Sequence, residues 1–328
     1  MSTIKDVAKL AGVSIATVSR VLNNSDKVSL DTAQIVQDAI NSLEYAPNAM
    51  AQSLVTQKSN TIGVLVNDLS DPFFGQMIKT IDTVAKQNGQ HILVGNGYHN
   101  PDFEKKIINL FISKQCDSLI LHSKALKDSK IISIANKIEN VVIINRYIKE
   151  LADKCVYTDN SWGTNIATDK LAKLGHKNIA FINSNHQIED AKSREVGYKK
   201  AITKHNLISK VIYTNPDQNG GESAMKKIIK STTKYTGIVC YNDSIASGVI
   251  AFLHENNIKV PDEISVIGFD DLDVAQYVYP KLTTIHYPIK EMAQYATLLL
   301  LNQLDKQQSF GLKLIVRNSI SKVNLGIN

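Results

Sequence analysis

The strongest constraint in this chain is a change of hydrophobic period near residue 60. From Thr61 onward, short runs rich in β-branched residues alternate with helix-length stretches, whereas residues 1–46 carry helical spacing and no strand signal. Strands are expected at Ile62–Asn67, His91–Gly95, Ser118–His122 and Val141–Asn145, and again at Asn178–Asn183, Val211–Thr214, Gly237–Tyr241 and Ile264–Phe269. Strand–helix–strand repetition of this kind predicts parallel sheets covered by helices on both faces. The α/β part should therefore form two doubly wound lobes, one of residues 60–160 with 289–318, the other of residues 161–288 with the C-terminal end. A length of 328 residues exceeds what one core usually supports, which agrees with several domains.

Composition enters chiefly by exclusion. With 43% hydrophobic and 21% charged residues, the chain is neither disordered nor collagen-like. No apolar run approaches the roughly 20 residues that span a bilayer, and the start, MSTIKDVAKL, lacks a signal-peptide core, so a cytoplasmic protein with no membrane partner is expected. Cys116, Cys155 and Cys240 are far apart and form no C-x-x-C, which signals neither a disulfide framework nor a zinc site. Gly95-Asn96-Gly97 lacks the third glycine of a dinucleotide fingerprint, and no P-loop, G-x-S-x-G or H-E-x-x-H string occurs. No enzyme, metal or cofactor is expected.

The first segment reads as three small helices sharing one core. Thr3 and Asp6 mark a helix start, Gly12 its end, Ser14 and Thr17 a second start, and Ser29 caps a third helix over Leu30–Glu44. On a helical wheel Val18, Val21 and Leu22 face inward, leaving Ala16, Ser19, Arg20 and Asn23 outward with Ile15 at the edge. A helix entering the DNA major groove needs little bulk at its first turn, an apolar contact for a thymine methyl and a bidentate donor for guanine. Ile15, Ala16 and Arg20 supply these, with Thr17, Ser19 and Asn23 beside them. Net charge gives no support, because Lys5, Lys9, Arg20, Lys27 and Lys58 are balanced by Asp6, Asp26, Asp31, Asp38 and Glu44. Phosphates should then be held by hydroxyls and helix N-termini at Thr3, Ser14 and Ser29. Residues 47–59 form a linker whose stretch Pro47–Val55 is too short for a stable helix alone. Paired with its copy in a minor groove, it can fold and wedge Leu54 between base steps.

The strings T3IKDVAKLAGVSIATVSRVLN23 and Y45APNAMAQSL54 strongly resemble the lactose/galactose repressor (LacI/GalR) family, and the likeness continues over essentially the whole chain. D68LSDPFFGQMIK79, G95NGYHN100, I144NR146, C240YNDS244 and I264SVIGFDDL272 resemble its galactose-responsive branch. The resemblance implies a helix-turn-helix domain and hinge helix ahead of two lobes like those of periplasmic sugar-binding proteins. It also implies a homodimer, or a tetramer on DNA, that represses transport and catabolism genes from a palindromic operator and is released by a sugar, D-galactose. Ile15, Ala16 and Arg20 would read bases and Leu54 would intercalate; Gln52 stands where members often carry Arg.

Sugars are held by planar hydrogen-bonding side chains and an aromatic face at the C-terminal ends of parallel strands. Asp71, Phe73 and Phe74 follow the first strand, Asn145 and Arg146 end the fourth, Asn242 and Asp270 end two strands of the second lobe, and Arg194 opens a helix there. By resemblance these residues contact the effector. His99 and His186 also follow strands, but a lone histidine is more often a satisfied surface residue, and both are set aside. Trp162 and Tyr241 are further aromatic candidates. A sugar-binding protein of the periplasmic type is the alternative, disfavoured by the missing signal peptide and the added three-helix segment.

Overall fold

The computed structural model describes residues 2–22, 25–45, 59–304 and 308–323. The chain divides into two compact units, Met1–Ser59 and Asn60–Asn328.

In the first unit, helices α1 (Ile4–Ala11), α2 (Ile15–Leu22) and α3 (Leu30–Ser42) close around Val7, Ala8, Val18, Val36, Ala39 and Ile40. Asp6 folds back on Thr3, accepting from its N–H (2.8 Å) and its hydroxyl (2.7 Å). Gly12 ends α1 at φ +64°, a left-handed conformation that costs glycine no steric penalty. Ser14 Oγ then accepts the Thr17 N–H (3.1 Å), starting α2 three residues after the turn.

The second unit contains two sheets. The first has the order β2–β1–β3–β4–β5, with β1 (Thr61–Val66), β2 (His91–Asn96), β3 (Ser118–Leu121), β4 (Asn140–Ile144) and β5 (Cys155–Val156) all parallel. Helices α4 (Pro72–Gln87), α5 (Pro101–Ser113) and α6 (Asp128–Ala135) connect them. The second sheet has the order β11–β10–β9–β8–β6–β7, comprising β6 (Ile179–Ser184), β7 (Val211–Thr214), β8 (Gly237–Cys240), β9 (Ser265–Asp270), β10 (Thr283–His286) and β11 (Lys313–Ile315). Its helices are α7 (Asn160–Lys173), α8 (Glu189–Lys204), α9 (Gln218–Ile229), α10 (Asp243–Glu255) and the single turn α11 (Val274–Tyr277). Helix α12 (Ile289–Leu300) returns to pack on α4 and the first sheet. Strands β3, β6, β8 and β9 are buried along their whole length, as parallel strands covered on both faces must be.

Two features differ from the sequence expectation. Strand β11, placed with residues 289–318 in the first lobe, instead pairs antiparallel with β10 at the edge of the second sheet. Only α12 of that stretch belongs to the first lobe, where its apolar side (Met292, Ala293, Ala296 and Leu300) is fully buried. Strands β5 and β10 were absent from the expected set.

Helices α7 and α8 cross so closely that a Cβ on Gly197 would lie 2.0 Å from the Ser161 carbonyl oxygen. Backbone cannot yield as a side chain does, so Gly197→Ala is expected to destabilise the second unit by about 3 kcal/mol. Gly75, in α4, has nothing within 4 Å of an added Cβ, and Gly75→Ala should be neutral or stabilising by up to about 1 kcal/mol. Urea unfolding of both variants checks the contrast.

Candidate functional site

The outer face of α2 keeps its side chains available. Ile15 (45% exposed), Ala16 and Arg20 face solvent, Thr17 and Ser19 are half-buried, and Val18 is fully buried. Ser14 and Ser29 sit exposed at the starts of α2 and α3, where Ser29 caps Thr32. Thr3 is less suited to a phosphate than expected. Its hydroxyl proton goes to the Asp6 carboxylate, which puts a negative charge at the α1 N-terminus. Asn23 and Leu54 lie outside the described residues.

In the second unit, the C-terminal ends of strands from both sheets enclose a cavity of about 520 Å³. This is where an α/β fold gathers polar side chains, because each strand there gives way to a loop and a helix N-terminus. From the first lobe come Asp71, Phe73, Phe74, His99, His122 and Asn145; from the second come His186, Asp190, Arg194, Tyr241, Asn242 and Asp270. Seven of the eight expected effector residues are thus brought together. Two of them hold left-handed backbone, Asn145 (φ +60°) and Asp270 (φ +105°), a local cost typical of functional positions.

Arg146 is the exception, and the expectation is corrected. The turn at Asn145 sends the two side chains apart, and Arg146 reaches the Ser123 carbonyl (2.9 Å) and Asp128 (2.5 Å) instead of the cavity.

Arg194 is held on several sides. It is 3% exposed, with its guanidinium 3.7 Å from the Phe269 ring centre and 4.4 Å from that of Tyr241. Nε donates to Asn160 Oδ1 (2.9 Å), Nη1 to the Tyr241 carbonyl, and Nη2 lies 3.4 Å from Asp270 Oδ1. All three nitrogens of the fork have an acceptor, as a buried cation requires. Burial raises the Asp270 carboxyl well above its ordinary range, and the Arg194 charge opposes this. Asp71 caps α4 through the Phe73 N–H (2.9 Å), and burial raises its carboxyl as well. Asn242 caps α10 through the Ile245 N–H (2.8 Å) and donates to the Pro216 carbonyl (3.0 Å).

The first-lobe wall is aromatic. Phe73 and Phe74 meet edge to face at 5.4 Å, Phe74 packs on His122 at 4.9 Å, and Phe73 packs on Tyr287 at 5.3 Å. Asn145 is held by three partners. Its oxygen accepts from the Tyr287 hydroxyl, while its amide donates to Asp190 (3.0 Å) and lies 3.2 Å from His122 Nε2.

Sequence reasoning set aside His99 and His186 and missed His122 and Asp190, all four of which line the cavity. His99 from the first lobe and His186 from the second approach to 4.7 Å between ring centres. Burial, and then the neighbouring His186, lower the His99 pKa to about 4; burial alone lowers His186, and burial followed by Lys124 lowers His122 strongly. All three rings are therefore neutral near pH 7. Because the unfolded chain binds the His99 proton near pH 6.5 and the folded chain only near 4, this residue's contribution to stability is complete above pH 6.5 and is lost as pH falls toward 4. The His99 ring should titrate by NMR with a midpoint near 4, and His99→Gln should lose less stability than the parent between pH 6.5 and 4.

Among the described residues no group of His, Cys, Asp and Glu is arranged to hold a metal ion, and no helix is long and apolar enough to cross a membrane.

Comparison with known proteins accords with both units. Residues 3–48 match the model for bacterial regulatory proteins of the lacI family, and residues 168–320 match a periplasmic binding protein-like domain. The chain is 42% identical to the HTH-type transcriptional regulator GalR of Escherichia coli K12, covering 99% of this chain and 97% of that protein. It is 44% identical to the regulator GalS of Salmonella typhimurium LT2, over 92% and 89% of the two chains. The fold matches a crystal structure of the lac repressor dimer bound to operator and an anti-inducer, with a TM-score of 0.85 and 26% identity over 98% of this chain and 99% of that one. With a helix-turn-helix unit, a two-lobed core and relatives of this similarity over almost its whole length, the chain belongs to the lacI family of bacterial transcriptional regulators.

Proposed function

We propose that this regulator is a repressor of sugar transport and catabolism genes that binds a palindromic operator as a dimer in the cytoplasm and is released by D-galactose bound between the lobes. The observation that carries the sugar reading is the cavity itself. It joins an aromatic wall (Phe73, Phe74) to fixed acceptors (Asp71, Asp190, Asp270) and a cationic fork (Arg194), with its histidines neutral. Many acceptors and little free positive charge suit an uncharged polyol, whose hydroxyls donate, and disfavour a sugar phosphate. Galactose in particular is supported by the 42–44% identity to GalR and GalS.

On the DNA side, Ile15, Ala16 and Arg20 read bases, with Thr17 and Ser19 beside them and Ser14 and Ser29 presenting hydroxyls to phosphates. Residues 47–59 fold as hinge helices on the operator and insert Leu54. Sugar bound between the lobes weakens operator binding through a coupling of about 1–3 kcal/mol, typical of linked sites. Isothermal titration of the full chain with D-galactose, D-glucose and galactose 1-phosphate tests the ligand. Binding of galactose in preference to the other two supports the reading; preference for the phosphate overturns it.

A further inference from the structure

Behind the cavity wall lies a charged pair joining the lobes. Lys124 follows β3 in the first lobe and Asp190 stands in the first turn of α8 in the second. Their side chains are 2% and 9% exposed, and Lys124 Nζ lies 2.7 Å from Asp190 Oδ1. Lys124 also donates to the Asn145 carbonyl, and the second Asp190 oxygen takes the Asn145 amide (3.0 Å). Asp190 and Asn145 line the cavity; Lys124 does not. Burial on its own would raise the Asp190 carboxyl, but Lys124 and Arg194 outweigh it and keep the group ionised.

Lys124 is not left to find this position by itself. Glu104 of α5 is fully buried and accepts four hydrogen bonds from the loop that carries Lys124: the N–H groups of Lys124, Ala125 and Leu126 at 3.1 Å each, and the Ser123 hydroxyl at 2.5 Å. A buried carboxylate is tolerated only when its lone pairs are satisfied, so the loop and Glu104 fix each other. Glu104 therefore determines where the ammonium stands, from outside the cavity.

We propose that Lys124, positioned by Glu104, is an inter-lobe latch that holds the closed cleft and sets its affinity for sugar by fixing Asp190 and Asn145. Opening the lobes separates the pair and lets water reach both charges; closing them brings the two charges into contact. Lys124 and Glu104 are positioning residues, acting on the ligand through the two side chains in the wall. This deepens the sugar-receptor reading and rests on it.

A double-mutant cycle tests the latch. Lys124→Met leaves Asp190 buried without its cation and should weaken galactose binding by about tenfold or more. In an Asp190→Asn background the same substitution removes an unpaired buried cation, so it should be neutral or strengthen binding. A merely structural lysine would weaken binding equally in both backgrounds, and that additivity would overturn the proposal. Glu104→Gln should act in the same direction as Lys124→Met, more mildly. Spin labels at Lys137 and Lys226, exposed on the first and second lobes, report lobe separation in the full chain without any ligand. Lys124→Met should give a longer or broader distance distribution than the parent, and an unchanged distribution contradicts the latch. If the parent binds no galactose while this difference persists, the sugar assignment fails and the latch stands.

Discussion

Arg194→Met is expected to abolish the response to sugar while operator binding without sugar persists. The substitution keeps an unbranched apolar side chain but removes the guanidinium that lies over the Phe269 and Tyr241 rings and carries the charge facing Asp270. It also strands Asn160 Oδ1 and the Tyr241 carbonyl, which Arg194 now satisfies. Breaking a buried pair from one side costs about 3–5 kcal/mol, because Asp270 then loses the charge that offsets its burial. If that cost falls on the sugar-bound state, affinity drops by about two to three and a half orders of magnitude. Arg194→Lys should not rescue it, since a single ammonium cannot serve three acceptors in one plane or stack between two rings. Calorimetry with galactose, paired with operator binding by the same protein, reads both halves of this result; retained sugar binding would remove Arg194 from the site.

Arg20→Ala is expected to give the mirror-image phenotype. Arg20 is exposed on the face of α2 that the three-helix core does not use, beside Ile15 and Ala16. A bidentate arginine–guanine contact is worth about 1–3 kcal/mol of discrimination, so operator affinity should fall roughly 5- to 150-fold. The loss should be largest on the cognate operator and small on random duplex, while galactose binding is unchanged. An equal loss on both duplexes would make Arg20 a phosphate contact and not a base reader.

The parallel strands were legible because burial on both faces leaves continuous apolar runs, as in Ile179–Ser184, every residue of which is buried. Strand β5 has only two residues and carries no period, and β10 reads Thr-Thr-Ile-His, so neither announced itself. Most of the seven cavity residues were legible because strand ends gather ligands in this fold, while Arg194, inside a helix, came with the family resemblance. The strand-end rule failed at Arg146 because one left-handed residue, Asn145, redirects the next side chain. It passed over Asp190 because Glu189-Asp190 at a helix start reads as solvated acid favoured by the helix dipole. Only the tertiary fold brings Lys124, 66 residues away in sequence, against it. The histidines were equally opaque, since their neutrality comes from burial and from one another across the cleft. At Thr3 the sequence shows the capping signal but not its consequence: a hydroxyl committed to Asp6 has no proton left for a phosphate.

The link between the two units is tested most directly by fluorescence anisotropy of a labelled palindromic duplex with a central CG step, titrated with the full chain at fixed salt with and without D-galactose. Galactose should shift the binding curve to higher protein concentration by roughly 5- to 150-fold, the range of a coupling of about 1–3 kcal/mol. Superimposable curves, under conditions where calorimetry shows the sugar to be bound, would contradict the coupling of cleft to operator.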